Sequence, residues 1–175
     1  GGLVVHWKFD ETSGTTAADS SGNNNHGTLT NMDPPTDWVT GKVGGALDFD
    51  GSNDYVDVGS DSSLDITDVI TLAGWFNTNI TSADGRAIIS RGTSVSADDN
   101  AYNLRQYGTG VQFIFSQGGI EKATSVFVGV STGTWYHAAG TYDGTTMRLY
   151  LDGVEVDTLS ITGSIDSEIG NVYVG

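Results

Sequence analysis

Trp135-Tyr136-His137-Ala138-Ala139-Gly140-Thr141-Tyr142-Asp143-Gly144-Thr145-Thr146-Met147-Arg148-Leu149-Tyr150-Leu151-Asp152-Gly153-Val154-Glu155-Val156-Asp157-Thr158 is the stretch that decides the fold. It breaks into three short runs, 135–142, 146–151 and 154–158, joined at Asp143-Gly144 and Asp152-Gly153. Asp-Gly between alternating runs favours tight hairpin turns, because glycine takes a positive φ without steric cost. The segment therefore predicts a three-strand antiparallel meander.

Working outward, the same pattern repeats along the chain. Clusters of Gly, Ser, Thr, Asn and Asp recur every eight to twelve residues, and short period-two runs lie between them. Twelve strands are expected: 3–9, 46–49, 55–58, 69–76, 87–90, 101–105, 111–116, 125–130, 135–142, 147–151, 154–159 and 171–174. In the first, Leu3, Val5, Trp7 and Phe9 share one face. Residues 31–37, which hold Pro34 and Pro35, read as a long surface loop. No window carries a clean helical stripe. The expected fold class is all-β, a two-sheet antiparallel sandwich of the jelly-roll kind, with residues 1–175 as one domain.

The totals narrow the function. The absence of cysteine excludes a disulfide framework, a thiolate zinc site and a cysteine nucleophile. Acids outnumber bases 22 to 7, for a formal charge of −15 and a pI near 4.1. Such a surface repels nucleic acid and anionic lipid, so neither is an expected partner. The acids are 18 Asp and 4 Glu, and Asp suits turns as well as hard cations. No apolar run is long enough to span a membrane. With neither a signal peptide nor an initiator Met, the chain is expected to be a segment of a larger extracellular or cell-surface protein.

Three ordered motifs then carry a resemblance. The first is 6–14, His-Trp-Lys-Phe-Asp-Glu-Thr-Ser-Gly, followed by 19–27, Asp-Ser-Ser-Gly-Asn-Asn-Asn-His-Gly. The second is 41–51, Gly-Lys-Val-Gly-Gly-Ala-Leu-Asp-Phe-Asp-Gly, ending in Asp54-Tyr55-Val56. The third is 135–144 with Arg148-Leu149-Tyr150-Leu151-Asp152-Gly153. Together they resemble the LamG-like jelly-roll domains of the concanavalin A-like lectin/glucanase superfamily, over almost the whole chain. The resemblance implies a further strand after 171–175, bearing an acid and an arginine. The expectation is that this strand is truncated or supplied by another chain, which makes self-association or strand donation a candidate mode of assembly.

Catalysis has little to stand on. Glucanases of this architecture place paired carboxylates on one strand, at roughly 5 Å for retaining chemistry. Glu155-Val156-Asp157 lacks a third acid, and Asp166-Ser167-Glu168 lacks a patterned strand. His6, His26 and His137 have no metal-binding spacing, and no nucleophile elbow is present. A non-enzyme is expected.

Metal and ligand sites have better candidates. The Asx-rich loops 19–25 and 48–54 are dense in oxygen, with 50, 52 and 54 alternating as in calcium loops. The resemblance also implies a structural Ca2+ near these N-terminal loops. The expected ligands are Asp19, the Asn24 carbonyl, the Gly51 carbonyl and Asp54; the alternative is ordinary Asx turns. For a glycan or protein ligand, the aromatic–polar cluster Tyr102, Asn103, Arg105 and Tyr107 is the preferred site, with Trp38 from the proline loop as a further platform. Trp7, Trp75 and Trp135 read as core. The expected function is a calcium-stabilised binding or adhesion module for glycan or an extracellular protein. The alternatives are an assembly subunit accepting a neighbour's strand and, last, a glycoside hydrolase.

Overall fold

A computed structural model describes residues 2–81, 85–93, 100–126 and 129–175. The strands are β1 (Thr16–Ala17), β2 (Gly27–Thr30), β3 (Trp38–Thr40), β4 (Gly45–Leu47), β5 (Tyr55–Gly59), β6 (Ile70–Asn77), β7 (Arg86–Gly92), β8 (Asn100–Tyr107), β9 (Gly110–Gln117), β10 (Ile120–Val126), β11 (Trp135–Tyr142), β12 (Thr146–Leu151), β13 (Val154–Ser160) and β14 (Asn171–Val174). They form an eight-stranded sheet in the order β1-β2-β5-β14-β7-β8-β9-β10, a four-stranded sheet in the order β13-β12-β11-β6, and the small β3-β4 hairpin. Every pairing is antiparallel. The all-β sandwich is as expected.

The deciding stretch folds as the meander β11-β12-β13. Both Asp152 and Gly153 take positive φ, 49° and 80°, as a two-residue hairpin turn requires. Alternation in these strands then sends Ala138, Gly140, Tyr142, Met147, Leu149 and Leu151 inward, where all but Gly140 belong to the main hydrophobic cluster. Across from them, Leu104, Phe113 and Phe115 of the larger sheet complete that core. Phe115 and Tyr142 meet with ring centroids 4.7 Å apart, which joins the two sheets at their centre. Burying each such ring contributes about 2–3 kcal/mol.

Five expectations need correction. Residues 3–9 make no ladder: Trp7 forms an isolated bridge with Asp19, Leu3 is 65% exposed, and Phe9 takes φ 55°, which interrupts extended backbone. The proline stretch holds a one-turn helix α1 (Pro34–Asp37), since proline suits the first helical positions, and the chain re-enters a strand at Trp38. The strands β1, β2 and β3 are additional to those read from the sequence, so 14 replace the expected twelve. The strand expected at 125–130 instead begins at Ile120, and its stretch at 127–128 lies outside the described residues. Finally, Trp75 is not core; its side chain leaves β6 on the outer face and is 43% exposed.

Candidate functional site

Strand β8 divides the predicted cluster in two. Tyr102 and Leu104 face the core, so period two sends Asn103, Arg105 and Tyr107 to the outer face of the large sheet. Tyr102 is 2% exposed and its hydroxyl donates to the Leu64 carbonyl at 2.8 Å. Burial pushes its hydroxyl up to about 12, even with Arg91 nearby drawing it down. Tyr102 is thus a core residue and not part of a surface platform. Trp38 is also elsewhere: its indole Nε1 donates to the Gly14 carbonyl at 3.0 Å and it packs on the smaller hydrophobic cluster with Leu29 and Val56. It pins the proline segment.

The outer face continues across the sheet. One cross-strand row runs Thr28, Asp57, Tyr173, Ser90, Asn103, Ile114, Ala123, through seven neighbouring strands. At its centre Ser90 and Asn103 are directly paired and both are 0% exposed. The Ser90 hydroxyl and both ends of the Asn103 amide have no hydrogen-bond partner among the described residues. An unmade hydrogen bond in such a place costs about 1–3 kcal/mol, and native proteins rarely leave one without a reason.

Two polar groups flank this centre. On one side the Asn171 amide donates to both oxygens of Asp57, at 2.9 and 3.2 Å, and the Gly59 N–H donates to Oδ1 at 2.9 Å. Tyr173 stands beside Asp57 and meets Tyr55 edge to face at 5.7 Å. Its hydroxyl is pushed up by burial first, then by the Asp57 charge and Tyr55. On the other side the Arg105 Nε donates to Gln112 Oε1 at 2.8 Å, and the guanidinium lies 5.3 Å from the Tyr107 ring centroid. Gly85 crosses close above: a Cβ there would stand 3.0 Å from the Arg105 Cδ. Sequence reasoning missed Tyr55, Asp57, Ser90, Asn171 and Tyr173, although Tyr55-Val56-Asp57-Val58 and Asn171-Val172-Tyr173-Val174 alternate polar with Val.

Three of the four expected calcium ligands, Asp19, the Gly51 carbonyl and Asp54, already have protein partners. Asp19 is 8% exposed, and its carboxylate accepts from the His6, Ser21 and Asn25 N–H groups and the Ser21 hydroxyl, at 2.7–3.0 Å. Burial alone would raise its pKa, but these donors outweigh it and hold the group at about 2. The Gly51 carbonyl accepts from the Arg86 guanidinium at 3.2 Å, a cation where a calcium would need to sit. Asp54 accepts from the Asp50 N–H at 3.0 Å, and Asn24 is a positive-φ turn residue at 62°. Among the described residues no three His, Asp or Glu side chains converge as metal ligands. The Asx-turn alternative accounts for these bonds.

The acid pairs are likewise occupied. Asp166 accepts from the Gly118 and Gly119 N–H groups, both at 2.8 Å, and so clamps the β9-β10 turn. Glu155 faces Arg148 and the Tyr150 hydroxyl on β12.

Comparison with known proteins agrees with the sandwich. Domain 4 of the extracellular arabinanase AbnA from Geobacillus stearothermophilus, solved with arabinotriose, superposes with a TM-score of 0.74 at 18% identity, covering 99% of this chain and 83% of that one. The CBM40 of the Ruminococcus gnavus IT-sialidase, bound to α2,3 sialyllactose, gives 0.53 at 16% identity over 65% of this chain and 66% of that one. An S-layer domain-containing protein of Clostridium thermocellum gives 0.55 at 25% identity over 89% and 71%. No curated protein sequence matches. A laminin G-like family model, described as concanavalin A-like lectin/glucanases superfamily, matches residues 50–175, well over half the chain. The chain belongs to the concanavalin A-like lectin/glucanases superfamily.

Proposed function

We propose that the protein is a non-catalytic glycan-binding module of an extracellular or cell-surface protein, and that the outer face of the large sheet is its recognition surface. The observation that carries this reading is the outer-face row in which the half-buried Tyr55 and Tyr173 rings and the Asp57–Asn171 pair stand beside the buried polar centre of Ser90 and Asn103. Sugar hydroxyls both donate and accept, as the Asp57 carboxylate and the Asn171 amide require, and the Tyr55 and Tyr173 rings offer apolar faces beside them. The sugar-bound relatives support the ligand class. The occupied carboxylates of Asp166 and Glu155 support the non-catalytic reading.

The test is titration calorimetry with arabinotriose and α2,3 sialyllactose as first probes, on the protein and on Tyr173→Ala. Near-UV circular dichroism checks that the variant keeps its fold. It should lose affinity at least about tenfold, a 1.4 kcal/mol effect. A variant that binds a probe unchanged refutes the site.

One further observation favours an assembly reading. Strand β6 pairs only with β11 among the described residues, so one edge of the small sheet is open. A cleft of about 1080 Å³ adjoins it, lined by Leu3, Val5, Val69, Ile70, Leu72 and Ile88 among others. An open edge beside an apolar cleft is a template for an added strand from a neighbouring chain. Sedimentation across a concentration series checks this: a monomer at every concentration, unresponsive to added strand peptides, removes it.

A further inference from the structure

The outer face of the small sheet carries a second residue cluster of different construction. Trp75 sits on β6 opposite His137 on β11, and the imidazole meets the indole edge to face at 5.3 Å. The Lys42 ammonium lies 5.8 Å from the indole centroid. The turn that carries it, Gly41–Gly45, is tied down by the Gly45 N–H donating to Asp10 Oδ1 at 2.9 Å. Gly45 packs directly on the Phe9 carbonyl, where a Cβ would stand 2.0 Å away. On the far side, Asp152 is held by two backbone bonds to His137, one from the His137 N–H to Oδ1 and one from its own N–H to the His137 carbonyl, each 2.8 Å. With Trp135 and Gly153 these residues line a shallow depression of about 530 Å³.

A tryptophan 43% exposed, with one cation, one carboxylate and one imidazole around it, lies outside the core. Its indole leaves water poorly satisfied over its face, while the rim is polar. The rim has both signs of charge, so it matches neither a polyanion nor a cationic peptide. It suits a neutral, hydroxyl-rich ring with an apolar face. We propose that this depression is a second saccharide site: the sugar's C–H face stacks on Trp75, and its hydroxyls bond to the Lys42 ammonium, the Asp152 carboxylate and the His137 ring. The site lies on the sheet opposite to the Asn103 face, so one module holds two glycan chains at once.

This inference shares the ligand class of the proposed function but stands on separate residues, and the experiment separates the two. An array of neutral and acidic oligosaccharides is probed with the intact protein, with Trp75→Ala, with Lys42→Met and with Tyr173→Ala. Near-UV circular dichroism confirms that each variant keeps its fold. Trp75→Ala should abolish binding to a subset of neutral glycans that Tyr173→Ala still binds. Lys42→Met should weaken the same subset by roughly threefold to tenfold, and it does so without touching the indole. Titration with a soluble member of that subset should quench tryptophan fluorescence in the protein and not in Trp75→Ala. If Trp75→Ala and Lys42→Met leave every array signal intact, or if no array glycan binds, the second site is refuted. If Trp75→Ala acts and Tyr173→Ala does not, this site stands and the outer-face reading of the large sheet falls.

Discussion

Asp19 shows how one residue can serve two readings at once. Its place in an Asx-rich loop marks it as an oxygen donor, and the loop's composition cannot say whether the donor serves a metal or the backbone. The structure gives it four protein donors, which fix residues 6, 21 and 25 around one carboxylate. A buried acceptor of this kind stabilises only while ionised. Its folded pKa, about 2, lies below the 3.8 it has when unperturbed. The stabilisation is therefore complete above about pH 4 and is lost as pH falls from there through 2. Asp19→Asn should cost about 1–3 kcal/mol at neutral pH, since an amide nitrogen replaces one acceptor and confronts backbone donors. It should also flatten the acid limb of a plot of melting temperature against pH. An acid limb as steep in the variant as in the parent would place the titration elsewhere, with Asp50, Asp61 and Asp166, also lowered by backbone N–H donors, as the next groups to replace.

At the scale of elements, legibility follows sequence distance. The β11-β12-β13 meander was readable because its turns and its alternation are local. The same local period, carried through β8, parts Tyr102 from Asn103, Arg105 and Tyr107, which the sequence reading keeps in one cluster. What alternation does not contain is strand order. Asp57, Tyr173, Ser90 and Asn103 share one row only because β14 inserts between β5 and β7, 114 residues after Asp57 in the case of its bond to Asn171. Trp75 was misread for a related reason, because its strand is apolar on both faces and only the covering sheet says which face is inner. The closeness of the two sheets rests on a third local detail, Gly140 of β11. A Cβ at this position would stand 2.4 Å from the Phe113 Cγ, and Phe113 is fully buried on β9 with no room to retreat. Gly140→Ala should destabilise by about 1–3 kcal/mol through overpacking. For a chain of this length that lowers the melting temperature by roughly 2–4 °C per kcal/mol. Paired with Phe113→Leu, which opens space at the same point, the loss should be smaller than the sum of the two single effects. Strict additivity would mean that the contact does not limit the approach of the sheets.

For the whole molecule the governing quantity is the charge of −15 on a sandwich whose outer sheet faces carry Tyr55, Tyr173 and Trp75. That charge repels itself in the folded state, where the carboxylates are closest, and dilute salt relieves the repulsion because the screening length falls to about 10 Å at 0.1 M. Raising sodium chloride from about 20 mM to about 300 mM should therefore raise the melting temperature smoothly and without a midpoint. Calcium has two ways to act on such a chain, and ionic strength separates them. If the carboxylates remain committed to their present donors, calcium chloride at matched ionic strength should stabilise no more than sodium chloride, and chelator should change nothing. A cage would behave differently: stabilisation would saturate at a definite calcium concentration, by mass action on a folded-state ligand. It would also have to move the Arg86 guanidinium from Gly51 and strip at least one donor from Asp19. The saturable outcome should then vanish in Asp19→Asn and be enhanced in Arg86→Met. That pattern would restore the calcium ligands expected from the sequence, and its absence leaves the loops held by their own backbone.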